Sequence, residues 1–176
     1  MKLILGVSGS IAAYKAVDIL RRFQQEGHAV TVVMTRAATR FIAPLTFETF
    51  APGRVFLKLF APGQDPLLHI TLARECDLLL VAPASADIIG RMAGGIADDL
   101  LSTIFCAFHR RVAVAPAMNT HMLENPAVGE NLARLRARGI EVIEAAEGPL
   151  ANRDIGRGRL PDAETIYRHC LGITSV

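Results

Sequence analysis

The sequence has few cysteines, little net charge and no long uninterrupted run of apolar residues. Its 176 residues include three cysteines, and the formal net charge is +2 with both signs mixed along the chain. The near-balanced charge argues against a nucleic-acid-binding protein, and no apolar run reaches the length of a membrane-spanning helix. The N-terminus has one lysine before a strand-like segment and no small-residue cleavage site, so we expect no signal peptide.

The cysteines, Cys76, Cys106 and Cys170, lack the spacing of a metal site. Their odd number and apolar neighbours indicate reduced thiols, which are usual in the cytoplasm. We therefore expect a cytoplasmic protein with no metal, no nucleic-acid partner and no membrane association.

Apolar residues make up 51% of the chain, and segments with strand and helix periodicity alternate along it. This alternation predicts a parallel sheet that is covered by helices on both faces. We therefore predict an α/β fold of three layers, Rossmann- or flavodoxin-like, formed by residues 1–176 as a single domain.

The predicted strands and the one irregular segment can be read from this periodicity. Strands are predicted at residues 2–7, 29–34, 54–60, 77–83, 111–116 and 140–145. Residues 146–161 show no period and many turn residues, so no regular element is predicted there. A closing helix follows, with Asp162 as its N-cap.

Residues 6–15, GVSGSIAAYK, join the first strand to the first helix and are rich in glycine and serine. Gly6 and Gly9 permit a tight turn and a close backbone approach, while Ser8 and Ser10 offer hydroxyl groups beside a helix start that can bind an anion. The segment lacks the ending of a P-loop and the spacing of a dinucleotide motif. It indicates either a phosphate site or an ordinary strand-to-helix turn.

Two later loops, VAPASADIIG and VAPAMNTHM, also follow apolar strands. Ser85 can cap the next helix with Asp87 in its first turn, and Asn119 offers two donors and one acceptor. Simple capping explains each loop alone. Because ligands of such folds bind at the carboxyl ends of the strands, we expect these loops and the first one to form one site.

His69 follows a loop rich in proline and glycine and lies at a predicted helix start, ahead of the most apolar strand. A neutral imidazole in this position can act as a general base. A purely structural histidine is the alternative.

Taken together and in this order, these stretches resemble the family of homo-oligomeric flavin-containing cysteine decarboxylases. The resemblance extends over nearly the whole chain. The matching segments are GVSGSIAAYKA, MTRAATRFIAPLTFET, HITLARECDLLLVAPASADIIGRMAGGIADDLLSTI, VAVAPAMNTHM and DIGRGRLPD.

The resemblance implies FMN as the cofactor and homotrimers, or dodecamers built from trimers, with FMN at subunit interfaces. It implies His69 as the catalytic histidine and Asn119 as the residue that holds the substrate carboxylate. The residues that it implies in FMN binding are Gly9, Ser10, Ile11, Thr35, Ser85, Ala86, Asp87, Ile88 and Ala117.

The implied reaction is oxidative decarboxylation of a cysteine-derived carboxylate. The substrate would be a phosphopantothenoylcysteine-like compound of coenzyme A biosynthesis or a peptide with a C-terminal cysteine. A flavin prenyltransferase on a related fold and a non-catalytic flavin-binding regulatory protein are the alternatives.

One loop departs from the family pattern. In the coenzyme A enzymes, an Ala-Cys-Gly-Asp motif supplies a cysteine that helps to reduce the decarboxylated product. Here Ala151 and Asp154 fit the motif, but Asn152 stands in place of the cysteine and Arg153 in place of the glycine. Asn152 is therefore the third candidate catalytic residue, and whether the product is reduced remains open.

Overall fold

The computed structural model describes residues 1–174, and its central element is a parallel sheet of six strands. The strands are β1 (Lys2–Val7), β2 (Ala29–Met34), β3 (Val55–Phe56), β4 (Leu78–Ala84), β5 (Arg111–Pro116) and β6 (Glu141–Val142). They lie in the order β3-β2-β1-β4-β5-β6. The chain reverses its direction of winding between β1 and β4, and this switch point opens a crevice at the carboxyl edge of the sheet.

Helices cover both faces of the sheet, which confirms the predicted three-layer α/β fold. The helices are α1 (Ala16–Gln25), α2 (Pro44–Glu48), α3 (Leu68–Glu75), α4 (Ala86–Gly94), α5 (Leu100–Ala107), α6 (Thr120–Leu123), α7 (Pro126–Ala137) and α8 (Ala163–Thr174). Helices α1 and α8 pack on one face, and α3, α4, α5 and α7 pack on the other. Within residues 1–174, no helix is both long enough and apolar enough to cross a membrane.

Alternating side chains of the central strands divide the interior into two cores. In β1, Leu3 and Leu5 join the core under α1 and α8, while Ile4 points to the opposite core. In β4, Leu78 and Leu79 separate in the same way. Because both faces are covered, these strands are apolar at nearly every position.

Residues 146–161 contain a hairpin where the sequence predicted no regular element. Its antiparallel strands are β7 (Ala146–Pro149) and β8 (Ile155–Arg159). The strand signal is absent because β8, with sequence IGRGR, alternates with glycine and presents no apolar face to a core. The predicted strands at 54–60 and 140–145 are shorter than expected because both lie at sheet edges. Asp162 accepts a hydrogen bond from Thr165 N at 2.7 Å, as predicted for a helix start.

Two buried serine hydroxyls join the loops that follow β1, β4 and β5. Ser8 Oγ donates to Pro83 O at 2.7 Å and accepts from Ser85 N at 2.8 Å. Ser10 Oγ donates to Ala117 O at 3.0 Å. These bonds hold the three loops together at the crevice.

We expect Ser8→Ala to lower the free energy of unfolding by about 1 kcal/mol, because it leaves the half-buried Ser85 N–H without its partner and removes one of the two hydrogen bonds to Pro83 O, which still accepts from Ser8 N. Urea denaturation of the flavin-free protein measures this change. Thr39→Ala is the control, since it removes a hydroxyl bonded to the exposed Arg36 O, and it should change stability by less than about 0.5 kcal/mol. Equal effects of the two substitutions would show that Ser8 does not hold the loops.

Candidate functional site

A cavity of about 760 Å³ lies at the carboxyl edge of the sheet, where the loops after β1, β4 and β5 meet the β7–β8 hairpin. This is the place expected for a ligand in this fold. The predicted site residues that line it are Gly9, Ser10, Ile11, Ser85, Ala86, Ala117, Asn119 and Asn152. The structure thus brings together residues that are up to 143 positions apart (152 − 9).

The walls of the cavity carry large apolar side chains that remain open to solvent. Ile11 is 58% exposed, Tyr14 57%, Phe41 49% and Met122 49%. Side chains of this kind suit a planar aromatic ligand or a second protein surface, because either would remove their apolar area from water.

Lys15 and Arg159 give the cavity a positive charge. Both line it, and neither forms an ion pair with a carboxylate within residues 1–174. Burial and the neighbouring Arg159 guanidinium lower the pKa of Lys15 below its ordinary value. Two adjacent cations without a partner favour a ligand that bears a phosphate or a carboxylate.

The serine hydroxyls of the first loop donate to backbone carbonyls of the neighbouring loops and not into the cavity. Ser8 and Ser10 both donate to backbone carbonyls, which corrects the expectation that their hydroxyls would be available to a phosphate. The N–H of Ile11 makes no hydrogen bond within the described residues and is the remaining donor at the start of the 3₁₀ turn Ile11–Lys15. Gly9 is required here, because an ideal Cβ at this position would lie 2.4 Å from the Cβ of Ala37.

Asn119 has a fixed orientation at the start of α6. Its Oδ1 accepts a hydrogen bond from His121 N at 2.9 Å, as an N-cap does. The Nδ2 group has no partner within residues 1–174, so both of its N–H groups are available at the cavity. The side chain therefore presents a donor, which suits a carboxylate ligand.

Asn152 lies at the tip of the hairpin and is engaged in the turn. Its Nδ2 donates to Asp154 Oδ2 at 2.6 Å. Arg153 follows with φ of +72°, a conformation that favours glycine. The turn thus keeps a left-handed residue at the position where the family motif has glycine.

Three other predicted cofactor residues lie outside the cavity lining. Thr35 is buried and its Oγ1 accepts from Ala38 N at 3.2 Å. Asp87 is exposed and pairs with Arg91 at 3.0 Å, and Ile88 is fully buried in the core under α4. Their contacts in a single chain are structural, and the proposed contacts with a cofactor stay predictions.

His69 also lies outside the cavity lining. It is the second residue of α3, and α3 belongs to the layer packed on the opposite face of the sheet from α1. The ring is half-buried, and its Nδ1 is buried with no hydrogen-bond partner within residues 1–174. The single chain therefore leaves one polar atom of the predicted catalytic histidine unsatisfied.

Lys15, Tyr14 and Arg159 line the cavity but were not among the predicted site residues. Lys15 lies one helical turn beyond Ile11 in the recognised segment, so its spacing could have placed it on the same face. Arg159 carried no such signal, because the hairpin that holds it was not predicted.

Comparison with known proteins gives the family. The family model described as Flavoprotein matches residues 1–174. The coenzyme A biosynthesis bifunctional protein CoaBC of Vibrio vulnificus strain YJ016 is 45% identical over 170 residues, which are 96% of this chain and 42% of that protein. CoaBC of Mycobacterium tuberculosis strain H37Rv is 44% identical over 165 residues, or 94% of this chain and 39% of that protein. The chain thus spans about two-fifths of the length of these relatives.

Solved structures agree with this assignment. A PPC decarboxylase with a cysteine-to-serine mutation, complexed with pantothenoylaminoethenethiol, is 33% identical with a TM-score of 0.87, covering 99% of this chain and 98% of that chain. The FMN binding protein AtHal3 is 34% identical with a TM-score of 0.83, covering 99% and 97%. The resemblance found in the sequence is confirmed, and this chain belongs to the Flavoprotein family.

Proposed function

We propose that this chain is an FMN-dependent decarboxylase that acts on a cysteine-derived carboxylate, in coenzyme A biosynthesis. The observation that carries the proposal is the cavity in which the Gly9–Ile11 loop, the Ser85 loop and the Asn119 amide meet. The similarity to CoaBC and to a PPC decarboxylase supports the same reaction. We also propose that residues 1–176 form one domain, and the free thiols Cys76 and Cys106 support a reducing cytoplasmic location.

The residues of the cavity fit FMN. The volume of the cavity is within the range of cofactor sites, about 300–1,000 Å³. Apolar side chains line the cavity together with the cations Lys15 and Arg159. Gly9, Ser10 and Ile11 would hold FMN from one loop, and Ser85, Ala86 and Ala117 from the others. When bound, FMN supplies a two-electron oxidant for the carbon that bears sulfur, which lets the neighbouring carboxylate leave as carbon dioxide.

Asn119 would bind the substrate carboxylate before it leaves. Its amide donors are unoccupied, and the N-cap bond to His121 N fixes the side chain. Lys15 and Arg159 would hold a phosphate at this side of the cavity, either that of FMN or that of a phosphopantothenoylcysteine-like substrate.

His69 would reach the substrate in an assembly of several copies, a homotrimer or a dodecamer built from trimers. Apolar side chains are exposed both at the cavity and in the segment before α3, where Phe60 is 74% and Leu67 61% exposed. Contact between these two surfaces of neighbouring copies would bury both and bring His69 beside the cavity of another copy.

Asn152 would not reduce the product, because an amide has no thiol chemistry. No cysteine lines the cavity within residues 1–174. Cys76 is buried next to β4, where burial raises the pKa of its thiol to about 11, and Cys106 lies on α5. The proposed product is therefore the unsaturated enethiol. Its formation would leave two electrons with FMN, so repeated turnover would need dioxygen or another electron acceptor, and a saturated thiol for coenzyme A would need a separate reductant.

Purified protein is expected to bind FMN and to release carbon dioxide from phosphopantothenoylcysteine. Absorbance spectroscopy and mass analysis of the released cofactor test the first step, and trapped carbon dioxide tests the second. Bound FMN without carbon dioxide would support a regulatory flavin-binding protein, and reaction only with a dimethylallyl phosphate donor would support a prenyltransferase. Failure to bind FMN after reconstitution would refute the proposal.

We expect Asn119→Asp to raise KM for the substrate by at least about ten-fold while FMN content is unchanged, because two carboxylates repel each other. Asn125→Asp is the matched control, since Asn125 caps α7 through the same bond, Oδ1 to Ala127 N at 2.9 Å, away from the cavity. Steady-state kinetics compare the two variants. Equal KM values would remove Asn119 from the substrate site.

A mixture of two impaired variants, assayed at a substrate concentration well below the raised KM of Asn119→Asp, tests whether His69 and Asn119 act from different copies. Coexpressed His69→Asn and Asn119→Asp chains should form some sites with both native residues, about a quarter for random mixing in a closed ring. Recovery of that share of activity is the expected outcome. Activity no higher than that of either variant alone would place both residues in one chain's site.

A further inference from the structure

The β7–β8 hairpin is joined to the Asn119 loop by two hydrogen bonds. Thr120 Oγ1 donates to Arg157 O at 2.7 Å, and Met118 N donates to Gly158 O at 3.0 Å. The bonded residues Met118 and Thr120 are the two chain neighbours of Asn119. The residue proposed to bind the substrate carboxylate is therefore held to the hairpin on both sides.

Two glycines of β8 allow this close contact. An ideal Cβ on Gly158 would lie 2.1 Å from Met118 O, and one on Gly156 would lie 2.5 Å from Thr120 Oγ1. Side chains at either position would separate the hairpin from the loop. Gly156 and Gly158, which prevented the prediction of β8 from the sequence, are thus the residues that permit its close contact with the Asn119 loop.

The docked hairpin forms one wall of the cavity. Leu150, Ala151 and Asn152 at its tip line the same space as Asn119. Thr120 does not line the cavity, so we expect no direct contact between Thr120 and a ligand bound in it. Its hydroxyl acts on the hairpin backbone and, through it, sets the distance between the hairpin tip and Asn119.

We infer that Thr120 is a positioning residue that fixes the hairpin and the Asn119 amide as one unit for substrate binding. This inference rests on the proposed decarboxylase function. The residues proposed to bind FMN on the Gly9 and Ser85 loops are not bonded to Thr120, and Ala117 is held by Ser10 and Ala84. Loss of the Thr120 hydroxyl should therefore affect substrate binding and leave the cofactor bound.

Three variants test the inference. Thr120→Val removes the hydroxyl with little change in shape, and Thr120→Ser keeps it. Thr49→Val is the control outside the cavity, because it removes a hydroxyl that donates to Leu45 O with a hydrogen-bond length of 2.9 Å. Steady-state kinetics should show KM raised about five-fold in Thr120→Val, with kcat changed less and FMN content unchanged. Thr120→Ser and Thr49→Val should match the unaltered protein.

Hydrogen exchange gives a readout that does not depend on activity. The Met118 amide, bonded to Gly158 O, should exchange faster in Thr120→Val than in Thr120→Ser, because the hairpin is held less firmly. Unchanged exchange and unchanged KM in Thr120→Val would overturn the inference. Faster exchange in a protein that decarboxylates none of the cysteine substrates would support the structural tie while refuting the proposed function.

Discussion

The Ser8 hydroxyl, buried between the first and fourth strands, holds together the edge of the sheet on which the cavity depends. It donates to Pro83 O and accepts from Ser85 N, so both its hydrogen and its oxygen are used. Ser10 continues the connection to Ala117 O. Parallel strands fix only the backbone up to the point where they end, and these two side chains fix the loops beyond it. Together with backbone bonds from Ser8 N to Pro83 O, from Ala117 N to Ala84 O and from Met118 N to Gly158 O, these bonds bring the Gly9, Ser85 and Asn119 loops to one cavity.

The cavity also shows what the single chain leaves incomplete. Lys15 and Arg159 line the cavity, neither forms an ion pair within residues 1–174, and Tyr14 and Phe41 remain exposed in the same cavity. On the opposite layer, His69 keeps one ring nitrogen buried without a hydrogen-bond partner among the described residues. The cofactor that we propose, an anionic aromatic molecule, would cover the first group of side chains, and the assembly that we propose would bring His69 beside the cavity of another copy. The cofactor and the assembly both belong to the proposed function, and the fold of the single chain forms without them.

The sequence predicts the strands of the sheet better than it predicts the walls of the cavity. Strands such as β1 and β4 were predictable because they are buried on both faces and are apolar throughout. The hairpin was not, because Gly156 and Gly158 serve a contact with the Asn119 loop and leave no periodic pattern. The position of the loops at one sheet edge predicted that Gly9 and Asn119 would meet, and both line the cavity, whereas the sequence could not show that the serine hydroxyls bond to backbone carbonyls. Long-range backbone contacts of this kind have no local sequence signal.

Anaerobic single turnover with phosphopantothenoylcysteine tests the central claim most directly. The FMN-loaded protein is mixed with substrate while flavin absorbance, carbon dioxide and product mass are recorded. The account predicts about one carbon dioxide per flavin, loss of the oxidised flavin band, and a product two hydrogens lighter than the saturated thiol. Release of carbon dioxide with a fully saturated product would contradict the role given to Asn152. No carbon dioxide and an unchanged flavin spectrum would contradict the decarboxylase itself.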